Sequence, residues 1–184
     1  MSNLHSPATR RTGSPDHPPA IDEVDARLLL ALCKDPRSTT LALAESTGLS
    51  RNTIHARLVR FDRDGVLRSF EHRIDPASIG YRLTAVVTAV LRQQELDDVG
   101  RALATIPEVL EVYGLSGTVD LLIRVVALDA DDLYRVAGRI LATPGVERTE
   151  THLRMRDMVP YRITPLLQRS RRPRPGSTAN PSTR

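Results

Sequence analysis

Ser50 is followed by Arg51, Asn52, Thr53 and His55, a set of side chains suited to reading the edges of base pairs. An arginine guanidinium can grip the guanine edge in the major groove of double-stranded DNA, and an asparagine amide the adenine edge. Arg57 and Arg60 flank this set. Arg57 is open to two readings: a contact to nucleic acid, or a structural ion pair with an acid such as Glu45 or Asp62. Arg60, Arg68 and Arg73 suit phosphates, which position a protein without specifying sequence. Between Ser50 and Arg73 six arginines stand against Asp62, Asp64 and Glu71.

The elements that must present these groups are legible in residues 21–63. Ile21, Val24, Leu28 and Leu32 recur at three and four, the spacing of an amphipathic helix, which Pro36 stops. On that helix Cys33 is expected to be a small core residue. Thr39 is an N-cap for a second short helix carrying Leu41, Ala44 and Glu45. Ala44 is small where two helices cross, Gly48 permits a tight turn, and Leu49 anchors it. Ser50 then caps a third helix held by Ile54, Leu58 and Phe61, which leaves Arg51, Asn52 and His55 outward. This is the spacing of a helix-turn-helix, whose second helix enters a groove by its N-terminal residues. Gly65 closes the third helix, Val66 to Ile74 reads as a strand pair or wing bearing His72, and Asp75-Pro76 ends the unit.

Residues 83–164 have another rhythm. Leu83–Leu91, Val109–Leu115, Val119–Ala127 and Val146–Met158 are β-rich, and Leu96–Ile106 and the stretch from Asp129 to Leu141 have helical spacing. The order β-α-β-β-α-β is the ferredoxin-like split unit. Two helices cover one face of such a sheet, and a second copy of the chain is the simplest cover for the other. The expected fold is therefore α+β: a winged helix-turn-helix over 21–75, a linker over 76–82, and a ferredoxin-like domain over 83–164. Residues 1–20 read as a disordered arm and 165–184 as a flexible Arg/Pro-rich tail.

Composition narrows the function classes. Aromatic residues are 3% of the chain and Trp is absent, which disfavours readers of single strands that work by stacking. Residues 21–75 balance nine basic against nine acidic side chains, while the tail from Pro165 holds five arginines and no acid, so much of the net charge of +4 lies in the tail. One cysteine makes neither an internal disulfide nor a cysteine metal site, and no metal or other cofactor is expected. No apolar run has the length of a membrane span and no secretory signal is visible, so the expected compartment is the cytoplasm, at the nucleoid.

Both halves resemble one family, the leucine-responsive regulatory protein (Lrp/AsnC) family of transcription regulators. In the first half the matching residues are Ile21-Asp22, Asp25, Leu28-Leu29, Leu32, Arg37, Leu43-Ala44, Gly48-Leu49-Ser50, Thr53-Ile54, Arg57-Leu58, Phe61 and Gly65-Val66-Leu67, closing with Ile74-Asp75-Pro76 and Ile79-Gly80. In the second they are Pro107-Glu108-Val109, Ser116-Gly117-Thr118-Val119-Asp120-Leu121, Pro144-Gly145-Val146 and Thr149-Glu150-Thr151. The resemblance implies a non-enzymatic regulator that dimerises through its sheets, assembles to tetramers or octamers, and responds to an amino acid or related small molecule. It points to Ser116, Gly117, Thr118 and Asp120 for the effector, with Thr149 and Thr151 as neighbours. Gly117 would let a carboxylate approach backbone N–H groups, and Asp120 would receive an α-ammonium or fix the turn. One departure is the capping box: Thr39 is followed by Ala42 where the family commonly has Glu.

Two other readings remain at this point. One is a nucleoid-type architectural protein without effector. The other is an enzyme similar to the sirohaem decarboxylases, which want several His and Arg in the second domain; here His152 stands there with Arg124, Arg154 and Arg156.

Overall fold

The computed structural model describes residues 20–92 and 95–170. The expected arm, apart from Ala20, and the tail beyond Ser170 lie outside the described residues. The elements are α1 (Glu23–Lys34), α2 (Thr40–Thr47), α3 (Arg51–Arg63), β1 (Leu83–Leu91), α4 (Leu96–Leu103), β2 (Val109–Gly114), β3 (Leu121–Ala127), α5 (Ala130–Leu141), β4 (Val146–Leu153) and α6 (Thr164–Ser170). The described residues form two compact units, one of residues 20–69 together with 161–170, the other of residues 70–160.

Local chemistry fixes each end in the first unit. Asp22 caps α1 in a reciprocal box: Asp25 N–H donates to Asp22 Oδ1 at 2.7 Å, and Asp22 N–H to Asp25 Oδ2 at 3.0 Å. Thr39 Oγ1 accepts from Ala42 N–H at 3.2 Å, and no reciprocal side chain answers it, as Ala42 requires. Gly48 ends α2 at φ 69°, a left-handed conformation that costs glycine nothing. Ser50 caps α3, with Oγ accepting from Thr53 N–H at 3.1 Å. Leu28, Leu29, Leu43, Ile54 and Phe61 close into one core, to which α6 adds Leu167.

Three expectations fail here. The tail does not begin at 165, because Leu167 is apolar, 6% exposed and seated in that core; the arginine and proline content begins to dominate only after it. No wing forms. Val66 N–H bonds back to Phe61 O at 2.9 Å, and Phe70–Arg73 and Pro76–Ile79 are single turns of 3-10 helix. Asp75 accepts from Ala77 N–H at 3.0 Å and Gly80 takes φ 101°, so tight turns outcompete a ladder, and residues 70–82 group with the second unit. Cys33 is exposed rather than core, because α1 buries the stripe of Asp25, Ala26, Leu28 and Leu29.

The second unit is a four-stranded antiparallel sheet in the order β2-β3-β1-β4. Ala85, Val87, Ala89 and Leu91 of β1 and Leu121, Ile123 and Val125 of β3 point inward with period two. They pack with Val99 and Leu103 of α4 and Val136 and Ile140 of α5. The opposite face carries Val86, Val90 and Leu122, each only half-buried. β4 ends at Leu153, short of Met158: Arg154 N–H makes a bond to Thr84 O at 2.9 Å just beyond it, and β1 offers no partner past its first residue, Leu83. Among the described residues no helix is long and apolar enough to cross a membrane.

Phe61 is fully buried at the centre of the first core. Phe61→Ala is expected to destabilise that unit by roughly 3–5 kcal/mol. Denaturant unfolding should show the first unit melting earlier, with the transition of the sheet unit unmoved.

Candidate nucleic-acid interface

α3 has one locked edge and one open edge. Ile54 and Phe61 are buried and Leu58 half-buried, while Arg51, Asn52 and His55 are exposed. Thr53 is half-buried, its hydroxyl 2.8 Å from that of Ser50, so these two residues build the helix start. The open edge continues beyond the residues singled out in the sequence. Ala56 is exposed and Val59 is 53% exposed, at the helical spacing that follows Asn52 and His55. Apolar groups on such an edge suit a thymine methyl. The i, i+4, i+7 spacing from Asn52 was the signal that could have found them.

The locked edge depends on a buried charge. Asp25 of α1 is fully buried. Arg57 Nη1 donates to Asp25 Oδ1 and, at 2.9 and 2.8 Å, to both oxygens of Asp22, and Arg60 Nη2 pairs with Asp25 Oδ2. Arg57 therefore pairs with Asp22 and Asp25, not with Glu45 or Asp62, and Arg60 is committed to Asp25 rather than free for phosphate. Both are positioning residues that fix the rotation of α3 about its axis. Burial pushes the Asp22 carboxyl up, but the Asp25 N–H bond and the Arg57 guanidinium outweigh it and hold the group below its ordinary value.

Arg68 is exposed in the segment after α3. Arg73 falls in the second unit, with its guanidinium 5.6 Å from the centroid of the Phe70 ring. His72, expected on a wing, lies 3.6 Å from Glu111 on the open side of the sheet, where Glu111 also pairs with Arg124.

In the second unit Ser116, Gly117 and Thr118 form an exposed turn, with Gly117 at φ 141°. Of the two readings of Asp120, the structure supplies the turn-fixing one. Its Oδ2 accepts from Leu91 N–H at 2.8 Å, its N–H donates to Ala89 O at 2.9 Å, and its carbonyl accepts from Leu115 N–H at 2.8 Å. Thr149 pairs with Ala89 across the sheet and borders a shallow depression together with Val119. Thr151 sits one inward pair further along β4, opposite Val87, and is exposed. The turn and Thr149 are thus brought to one end of β1, and Thr151 is not.

The geometry is that of a helix-turn-helix head joined to a ferredoxin-like domain, the architecture of a ligand-responsive DNA-binding regulator. Residues 21–61 match the AsnC-type helix-turn-helix domain, and residues 84–163 match the Lrp/AsnC ligand binding domain. The HTH-type transcriptional regulator AldR of Mycolicibacterium smegmatis is 37% identical over 137 residues, covering 72% of this chain and 80% of its own length. The structure of E. coli AsnC superposes with a TM-score of 0.70 at 25% identity, covering 79% of this chain and 99% of that one. The feast or famine regulatory protein from M. tuberculosis, complexed with L-methionine, gives a TM-score of 0.67 at 30% identity over 76% of this chain and 95% of that one. The chain belongs to the Lrp/AsnC family of DNA-binding transcriptional regulators with a ligand-binding domain.

Removing one side of a buried ion pair leaves the other charge uncompensated, at a cost of roughly 3–5 kcal/mol. Asp25→Ala is expected to lower the stability of the first unit on that scale and to weaken DNA binding, as read by thermal melting and a gel shift. The depressed Asp22 value sets a sign. Its contribution is complete above the ordinary aspartate value of 3.8 and is lost as pH falls through the lower native value. Acid titration followed by circular dichroism should show that loss in the native chain and not in Asp22→Asn.

Proposed function

We propose that the protein binds particular double-stranded DNA sequences through the open edge of α3, and that an amino acid or related metabolite shifts this affinity. The observation that carries the reading is the contrast along one helix: Arg51, Asn52 and His55 are exposed while Ile54 and Phe61 are buried and Arg57 and Arg60 are tied to Asp25. Arg51 and Asn52 read bases, Val59 adds an apolar contact, and Arg68 meets phosphate.

The effector class is supported by the relative that is complexed with L-methionine. The ligand is received at the Ser116-Gly117-Thr118 turn, with Thr149 beside it, and Asp120 holds the turn in shape. The half-buried Val86, Val90 and Leu122 and the exposed Tyr113 on the open sheet face support a homodimer through the sheets, with tetramers or octamers built from it. A ligand that prefers one arrangement of these domains moves the heads relative to successive half-sites. The protein acts at the nucleoid as a regulator and not as an enzyme.

A gel shift against the protein's own promoter region tests the whole reading, since absence of a competitor-resistant complex there and in a genomic pull-down would contradict it. Arg51→Ala should cost about 1–3 kcal/mol at particular base positions, whereas Arg68→Ala should weaken all sequences alike and reduce the salt slope by about one. In a thermal-shift panel at least one amino acid should raise the melting temperature, and Gly117→Val should abolish that rise while leaving DNA binding without effector intact. A panel with no stabilising amino acid would favour the architectural reading.

A further inference from the structure

Several arginines of the head are committed to its own acids. Arg57 and Arg60 are tied to Asp22 and Asp25, and Arg63 Nε donates to Asp64 Oδ1 at 2.8 Å. Residues 20–69 carry eight basic side chains against seven acidic ones. That balance is a weak source of the attraction on which a DNA complex draws, because neutralising phosphates and releasing their counterions supplies much of the affinity.

The same unit holds a second source of charge. Residues 161–170 belong to it, and Leu167 of α6 is 6% exposed in the core that contains Ile54 and Phe61 of α3. From residue 161 onward the sequence has Arg162, Arg169, Arg171, Arg172, Arg174 and Arg184, and no Asp or Glu. Arg162 and Arg169 are exposed. Neither matched family domain extends past residue 163, so most of this charge lies outside both. Docking of α6 fixes where it starts. A chain spans at most about 3.6 Å per residue, which keeps residues 171–174 within about 15 Å of Ser170 and so beside the head.

We propose that the run Arg171-Arg172-Pro173-Arg174, anchored to the head by α6, is a second DNA contact that grips backbone phosphates beside the bases read by α3. It recognises the duplex by charge and not by sequence, and adds the attraction that Arg57 and Arg60, held by Asp25, do not offer. The inference rests on the DNA-binding role proposed for α3, and the experiment separates the two.

The full-length protein is compared with the double variant Arg171→Gln/Arg172→Gln and with a chain shortened after Ser170, which keeps Leu167. A third comparison, Arg92→Gln/Arg101→Gln, removes equal charge from exposed positions of the sheet unit. Fluorescence anisotropy over a salt series measures binding to a duplex selected by the protein and to a random-sequence duplex of equal length. Each phosphate contact contributes about 0.9 to the slope of log affinity against log salt. The Arg171/Arg172 variant should lower the slope by about two on both duplexes, so that between about 50 and 200 mM salt it loses roughly tenfold less affinity than the unaltered chain. The shortened chain should lower the slope further, and the Arg92/Arg101 variant should leave it unmoved. If shortening destabilises the head in thermal melting, the Arg171/Arg172 variant decides. An unmoved slope in that variant, or an equal fall in the Arg92/Arg101 variant, would overturn the inference. So would a loss confined to one duplex, which would mean that these arginines read bases. Preference for the selected duplex with an unmoved slope would leave the role of α3 standing and sink the second contact; a lowered slope with no preference between duplexes would do the reverse.

Discussion

A single buried carboxylate organises the DNA-binding head. Asp25 has no exposure to solvent and would be intolerable there without partners. Arg57 and Arg60, one turn apart on α3, supply them, and Asp22 is drawn into the same cluster through the capping box. Hydrophobic packing of Ile54 and Phe61 holds α3 against the core but is tolerant of small rotations. Directional charge-assisted bonds at two successive turns are not. The consequence is felt on the opposite side of the helix, where Arg51, Asn52 and His55 are held at a defined azimuth without touching the cluster.

The second unit solves a different problem with the same economy. β1 alternates along its length and β3 over its first five residues, so one face of the sheet is filled by α4 and α5 and the other is left with half-buried apolar residues. That asymmetry is the support for the proposed association through the sheets. Asp120 is the corresponding anchor: its side chain and backbone bind Leu91, Ala89 and Leu115, tying the β2–β3 turn to the end of β1. In the proposed reading the turn residues are left to face a ligand, because Asp120 bears the structural duty.

Much of this was legible from pattern. The three helices of the head, their caps at Thr39 and Ser50, the turn at Gly48 and the βαββαβ order all follow from local periodicity and capping chemistry, which act over a few residues. What escaped was long-range or competitive. Nothing local distinguishes Asp25 from a solvated acid in a first helical turn, and its partners lie more than thirty residues away. Val66–Ile74 has the residues of a strand but no neighbouring strand to pair with, and turns won. Leu167 was absorbed into the arginine-rich composition that follows it, although a lone apolar pair at the edge of such a tail can be a docking element. Cys33 is exposed because the buried stripe of α1 includes a charged residue, Asp25, which the spacing of apolar residues alone does not reveal.

We propose that the open edge of α3, held by Asp25, reads base pairs. Selection from a random double-stranded DNA library, run in parallel with the unaltered chain and Asn52→Ala, tests it most directly. A defined binding sequence from the first, with a preference at one adenine-bearing position relaxed in the second, is the result this arrangement requires. Identical preferences from both, or no sequence preference from either, would contradict it.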